Sequence, residues 1–231
     1  MADEATKTKK VWTDAERALL RGKGIDIGCG RDPVLPDVQR FDAEHGDANV
    51  ITRHVSERFD FVFSSHCLEH MHDPRAALRE WWELVRPGGV LFFIVPDEDL
   101  YEQGVFPSRF NDDHKATFTI AKRQSWSPIS YNVLDLVASL PDAELVSVQL
   151  HDMNYDRRLL RFGTLPPRPF IKRALSYIYR RLHHHLGLSL PFFERWLHKG
   201  EAIDQTRRPD SFAQIQTILR KRPSMSTPAS P

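Results

Sequence analysis

Three residue types that can do chemistry stand close together near the start of the chain, in Gly24-Ile25-Asp26-Ile27-Gly28-Cys29-Gly30. An apolar run breaking into glycines reads as a buried strand that ends in a tight turn. Glycines accept positive φ and leave the main chain bare, so a ligand can lie against it. A dinucleotide pyrophosphate would want a third glycine and a helix N-terminus behind it. Pro33 occupies that place here, and Asp32 beside it adds negative charge. The turn therefore suits a ligand with a cationic group, cradled by Asp26, Gly28 and Gly30. A turn that binds nothing is the plainer alternative.

Asp42 ends the next short apolar segment, where a carboxylate can accept both hydroxyls of a ribose. Asp47 and Ala48 follow at once and suit an adenine edge, although Gly46-Asp47 is also ordinary turn chemistry. Ser64, Ser65 and His66 close a later apolar run, and His66 is placed to face a reaction centre. His70 reads as structural. Beyond Pro96 comes a long loop dense in polar and aromatic groups, from Asp97 to Lys115. Loops carried by a rigid sheet are where binding residues collect. Tyr101, Arg109 and His114 are the candidates for recognising a second substrate. The two cysteines, Cys29 and Cys67, make neither a disulfide framework nor a zinc site on their own, and no metal-ligand set is expected.

These residues need elements to position them. Thr13 caps a short helix over 14–20. Strands are expected over 24–27, 38–41, 59–64 and 90–95, the last a continuous apolar run of the kind buried on both faces. Asp32-Pro33 reads as the start of a helix kept short by Pro36. Asp73-Pro74 opens the best helix, with Leu78, Trp81, Trp82 and Val85 on one stripe, stopped by Pro87-Gly88-Gly89. Ser127-Pro128 opens another, with Val133, Leu134 and Val137 inward. Segments 143–150 and 212–219 read as late strands. Strands alternating with helices imply an α/β protein with a doubly wound, mostly parallel sheet, whose ligands sit outside the carboxyl ends of the strands.

The stretch 153–209 interrupts that pattern. Residues 157–199 hold ten Lys/Arg against one acid, Glu194, with His183, His184, His185 and His198. It reads as a basic helical insertion before the last strand, with Ile171, Ala174, Leu175, Ile178 and Leu182 as an apolar stripe. Three roles fit it: a lid that brings cations to an anionic substrate, peripheral contact with an anionic membrane through 168–199, or a packed helical excursion. Net charge is +1, with 32 Lys/Arg against 31 Asp/Glu, so no global field draws in nucleic acid. With no apolar run of 18 residues, the expectation is a cytoplasmic protein, peripheral at the inner face of the membrane if the insertion binds lipid. The organisation expected is a disordered N-terminus over 1–10, one domain over 11–222, and a disordered tail over 223–231.

Taken together, Gly-Ile-Asp-Ile-Gly-Cys-Gly, Asp42, Phe59-Asp-Phe-Val-Phe-Ser-Ser-His-Cys-Leu-Glu-His70 and Leu84-Val-Arg-Pro-Gly-Gly-Val-Leu91 resemble a class I S-adenosylmethionine-dependent methyltransferase. The likeness covers roughly residues 20–152 and the last strand. It implies a seven-stranded sheet with a reversed final hairpin. It also implies S-adenosyl-L-methionine held by Asp26, Gly28 and Gly30 at its amino acid part, by Asp42 at the ribose, by Asp47 and Ala48 at the adenine, and by Ser64 at the methionine side. The segment from Asp42 to Asp47 is too short for the usual helix and third strand. The acceptor implied is a small molecule or glycan intermediate, and a hydroxyl acceptor would need a base, for which His66 and His114 are the candidates. A nicotinamide oxidoreductase and a non-catalytic cofactor-binding module are the alternatives.

Overall fold

The computed structural model describes residues 4–120, 122–164 and 201–223, together with Leu175, residues 177–179 and Arg181. Six strands form the main sheet: β1 (Gly24–Ile27), β2 (Gln39–Phe41), β3 (Phe59–Ser65), β4 (Val85–Pro96), β7 (Ala143–His151) and β8 (Gln214–Lys221). Their order is β2-β1-β3-β4-β8-β7. The first four run parallel, and β8 lies antiparallel between β4 and β7. The sheet is therefore doubly wound with a reversed last hairpin, as expected, but it has six strands among the described residues. The position of a third strand is taken by 3₁₀ turns over Ala48–Arg53, because too few residues separate Asp42 from Asp47.

The sheet is apolar on both faces, and alternation along each strand divides its side chains between two cores. Leu91, Phe93 and Val95 of β4 pack with Ile25, Val62 and the indoles of Trp81 and Trp82 on one face. Val90, Phe92 and Ile94 pack with Phe61, Phe63 and Trp12 on the other. Trp81 and Trp82 lie on the buried stripe of α3 (Pro74–Glu83), which Asp73 caps through its carboxylate. Both indole N–H groups donate to carbonyls, of Ala48 and Pro141, so the aromatic wedge leaves no donor unpaired.

Four expectations differ from the structure. The segment 4–10 is ordered: α1 (Glu4–Thr8) buries Ala5, its Thr6 donates to Asp32, and Lys7 reaches the carbonyl of Thr206. No helix follows Asp32-Pro33, since two prolines in four residues remove N–H donors and Asp32 accepts from Thr6 instead. The helix expected from Ser127 begins at Val133, as α4 (Val133–Ala138) capped by Asn132, with Leu136 buried and Leu134 exposed. Residues just before it form β6 (Ser130–Asn132), paired in parallel with β5 (Thr117–Thr119) in a small second sheet. The interruption between β7 and β8 falls where expected. Most of the basic insertion and residues 224–231 lie outside the described residues. Among the described residues, no helix is long and apolar enough to cross a membrane.

Candidate functional site

The carboxyl ends of β1, β3 and β4 and the start of β8 enclose a cavity of about 1020 Å³. Single-ligand pockets run from about 300 to 1,000 Å³, so two small ligands have room to lie side by side. Asp26, Gly28 and Gly30 form one wall, and Glu69, His70, Tyr101 and His114 form another. Glu4, Ala5 and Lys7 of α1 complete the enclosure.

On the glycine wall, Gly28 has φ +76°, and a Cβ there would come within 2.6 Å of the Cys67 side chain. Only glycine meets both demands. A Cβ on Gly30, at φ +53°, would meet nothing within 4 Å, so its bare backbone borders open space. Asp26 is 1% exposed, and one carboxylate oxygen accepts from Val34 N at 2.6 Å. Burial pushes its carboxyl up to about 7, against the pull of that amide, and Asp32 and Asp42 push the same way. A buried acid raised this far is ready to take a cationic group that restores its charge. Asp42 stands under the turn: it accepts from Gly30 N at 2.6 Å and from Ala43 N at 2.7 Å. It braces the glycine backbone without itself lining the cavity.

Four more expected residues sit away from the cavity. Asp47 caps the turn that follows it, accepting from the backbone and side chain of Asn49. Ala48 lends its carbonyl to Trp81, and neither residue lines the cavity. Ser64 turns its hydroxyl back to the Ile27 carbonyl at 2.9 Å, and Ser65 is the serine on the cavity wall, its hydroxyl unpartnered. Arg109 is tied to the carbonyl of Gly163 at 2.5 Å, while its neighbours Phe110 and Asn111 reach the cavity.

The opposite wall is a group of acids and imidazoles. His66 directly follows β3 with φ +54°, which swings its ring between Glu69, 3.3 Å from Nδ1, and Gln214, 3.1 Å from Nε2. Burial opposes its charge, but Glu69 and Glu4 outweigh burial and raise its pKa to about 9. His66 is thus a cation at neutral pH, a poor proton acceptor there. Glu69 is 1% exposed, and burial likewise opposes its charge. His66, His114 and His70 nevertheless hold its carboxyl below the usual range. His114 Nδ1 lies 2.6 Å from a buried Glu102 oxygen, with Tyr101 stacked on its ring and His70 edge-on to it. His70 Nδ1 lies 2.9 Å from Asp113.

Glu69 and Glu102 are the residues that sequence reasoning left without a role. Four acids lie within Asp97–Glu102. Asp97 caps a turn and Lys122 neutralises Glu98 and Asp99, which leaves Glu102 for His114. Nothing local marks that division. For Glu69 a signal did exist: it lies between His66 and His70 in a stretch that already contained a candidate residue.

A family model described as a methyltransferase domain matches residues 8–156. A ubiquinone biosynthesis O-methyltransferase of Pseudomonas putida is 30% identical, with 36% of this chain and 47% of that protein covered. The chain thus spans about half the length of that relative. A crystal structure of an S-adenosylmethionine-dependent methyltransferase from Archaeoglobus fulgidus is similar at 12% identity, covering 95% of each chain, with a TM-score of 0.46. Coclaurine N-methyltransferase, bound to N-methylheliamine and S-adenosylhomocysteine, is similar at 14% identity over 95% of this chain and 71% of that one, with a TM-score of 0.48.

Proposed function

The chain belongs to the methyltransferase-domain family, within the class I S-adenosylmethionine-dependent methyltransferases, and from that membership we propose that it methylates a hydroxyl of a small acceptor, a free metabolite or glycan intermediate. The observation that carries the hydroxyl is His114 on the cavity wall, held at 2.6 Å by Glu102 buried behind it. A hydroxyl must lose its proton as the new bond forms, and a carboxylate holding Nδ1 of an imidazole orients the ring for that task. The relative from Pseudomonas putida is named as an O-methyltransferase, which supports the same choice.

The cradle fits the cofactor by its own chemistry. Asp26 is the proposed partner of the ammonium group, since a buried carboxyl at about pH 7 gains most from a cation beside it. Gly28 and Gly30 offer backbone that no side chain covers. Asp42, set behind the cavity wall, is proposed to serve the ribose end of the cofactor by holding the Gly30 turn in place, since the Gly30 and Ala43 amides both donate to its carboxylate. Bound S-adenosylmethionine supplies a methyl group already attached to a positively charged leaving group. The protein's share is then alignment and exclusion of water. Tyr101 and Phe110 form the aromatic side of the acceptor space. His114 takes up the hydroxyl proton on the nitrogen that Glu102 leaves free.

A dinucleotide oxidoreductase is disfavoured by the turn itself. Residues 31–38 form no helix, so no helix N-terminus faces a pyrophosphate. The test is calorimetry with S-adenosylhomocysteine, then a methyl-transfer screen over phenolic, sugar and lipid-intermediate hydroxyls. Wild type should bind one S-adenosylhomocysteine per chain. Asp42→Ala should lose that binding. His114→Asn should keep it while turnover falls by about 10²–10⁴-fold, the usual contribution of a general base. Absence of binding in wild type, or saturable binding of NADH instead, would sink the proposal.

A further inference from the structure

The wall opposite the glycine turn holds three donors of the kind that bind metal ions, and they converge. One donor atom each from Glu69, His70 and His114 lies within 4.8 Å of the others. Two nitrogen or oxygen ligands at about 2.1 Å from one ion stand about 3–4 Å apart, so closing the set takes movements of roughly an ångström.

Two features point to a cation, and a third holds the donors together. The first is Glu69, whose carboxylate is 1% exposed, with neither oxygen accepting a hydrogen bond of ordinary geometry. His66 stands 3.3 Å from one oxygen, and the other has no partner. The His66 imidazole thus faces one oxygen already, and it is the second oxygen, buried and unpartnered, that lacks a ligand. The second is the outer partners of the imidazoles. His114 gives Nδ1 to Glu102 at 2.6 Å and His70 gives Nδ1 to Asp113 at 2.9 Å. A carboxylate on one ring nitrogen fixes the proton there and leaves Nε2 as a lone-pair donor, the arrangement that supports metal-bound histidines. The third is the backbone: the amides of Lys115 and Ala116 both donate to the Glu69 carbonyl, which pins the loop bearing His114 against the turn bearing Glu69 and His70.

We propose that Glu69, His70 and His114 form a binding site for one first-row divalent cation in the acceptor half of the cavity. Two imidazoles and one carboxylate suit zinc, manganese, cobalt or iron(II) better than calcium or magnesium. The three donors all line the cavity, so an ion they hold keeps coordination positions open towards it. Its use in methyl transfer rests on the reading above. An acceptor hydroxyl bound to the ion ionises near neutral pH and releases its proton to water. His114 then serves the loaded protein as a ligand, and the ion does the work the imidazole would do as a base. The sequence carried no such expectation, because its donors come from two segments more than forty residues apart.

The experiment is a titration of chelator-treated full-length chain with Co²⁺, read by its visible absorption and by metal analysis after gel filtration. One ion per chain is expected. His70→Asn and His114→Asn should each weaken it at least tenfold. Glu102→Gln, which keeps shape and removes only the outer charge, should weaken it by about 10–100-fold, the usual effect of such partners. Melting curves establish that each variant folds. Replacing His183, His184 and His185 together should change nothing. No stoichiometric ion in wild type, an ion retained by His114→Asn, or one lost only with the histidine run would overturn the site. S-adenosylhomocysteine binding is measured on the same samples. A chain that takes cobalt but no S-adenosylhomocysteine keeps the metal site and loses the methyltransferase reading.

Discussion

Asp26→Asn should make the ligand-free protein more stable while removing its cofactor binding, and the stability gain should depend on pH. In the folded chain the Asp26 carboxyl titrates at about 7, against 3.8 for the free side chain, chiefly because it is buried. Between those values the folded chain holds a proton that the unfolded chain has lost. Stability therefore falls as pH rises from about 4 to about 7 and is flat beyond. At about 1.4 kcal/mol per tenfold change, the ionised form costs about 4 kcal/mol at pH 8, of which somewhat less than about 2 is already present at pH 5. Asparagine keeps an oxygen for the Val34 amide, 2.6 Å away in the native protein, and carries no charge to bury. The gap between variant and wild type should thus widen by about 2–3 kcal/mol from pH 5 to pH 8. For a chain of this size that is roughly 4–12 °C in melting temperature. Urea melts of both proteins at pH 5, 6, 7 and 8 read it directly, because every other titrating group is shared. Calorimetry at pH 8 should find S-adenosylhomocysteine binding weakened more than 100-fold by the loss of the ammonium partner. A gap that stays constant with pH would refute the assigned ionisation, and intact binding would refute the assigned role.

Two further variants test the other walls. Gly28→Ala places a Cβ 2.6 Å from Cys67 at a φ of +76° and should destabilise the chain by about 2–4 kcal/mol, read by denaturant melts, with loss of cofactor binding. A stable variant that binds normally would show that the turn is not the cradle. His66→Gln removes an imidazolium whose pKa is raised from 6.5 to about 9. A raised histidine contributes stability in full below about 6.5, and that contribution fades as pH climbs through 9. Melts should show wild type ahead of the variant at pH 6 and the difference shrinking by pH 9.5. A difference that grows with pH would mean that His66 is neutral in the folded chain.

The sheet was legible because its signals are local. β4 reads as an unbroken apolar run, and α3 carries its cap, its proline and its indole stripe in ten consecutive positions. The glycine turn was legible for the same reason: backbone that must adopt positive φ leaves glycine in the sequence. Errors arose where two local signals competed. Asp32 beside Pro33 has the form of a helix start, yet Asp32 is drawn to Thr6 across 26 residues, and Pro36 denies the helix a donor. Ser64 and Ser65 differ by one position on a strand, which is the difference between facing β1 and facing the cavity. A period of two is unforgiving of an offset of one.

The acceptor wall was not legible because its chemistry lies in pairings and not in residue types. The stretch from His66 to His114 offers four histidines and several carboxylates, and composition alone permits many matches. The fold selects among them through contacts that no periodicity announces. His66 follows β3 in a left-handed conformation and so meets Glu69 and Gln214, which makes it a cation. The two amides that grip the Glu69 carbonyl bring His114 from the far loop to His70, and Glu102 then holds the ring by Nδ1. His66 and His114, equivalent as candidates in the sequence, thus receive opposite assignments: one keeps its proton and the other keeps a nitrogen free for an acceptor or an ion. That separation follows from which carboxylate each ring meets, and it is the feature on which acceptor chemistry in this cavity depends.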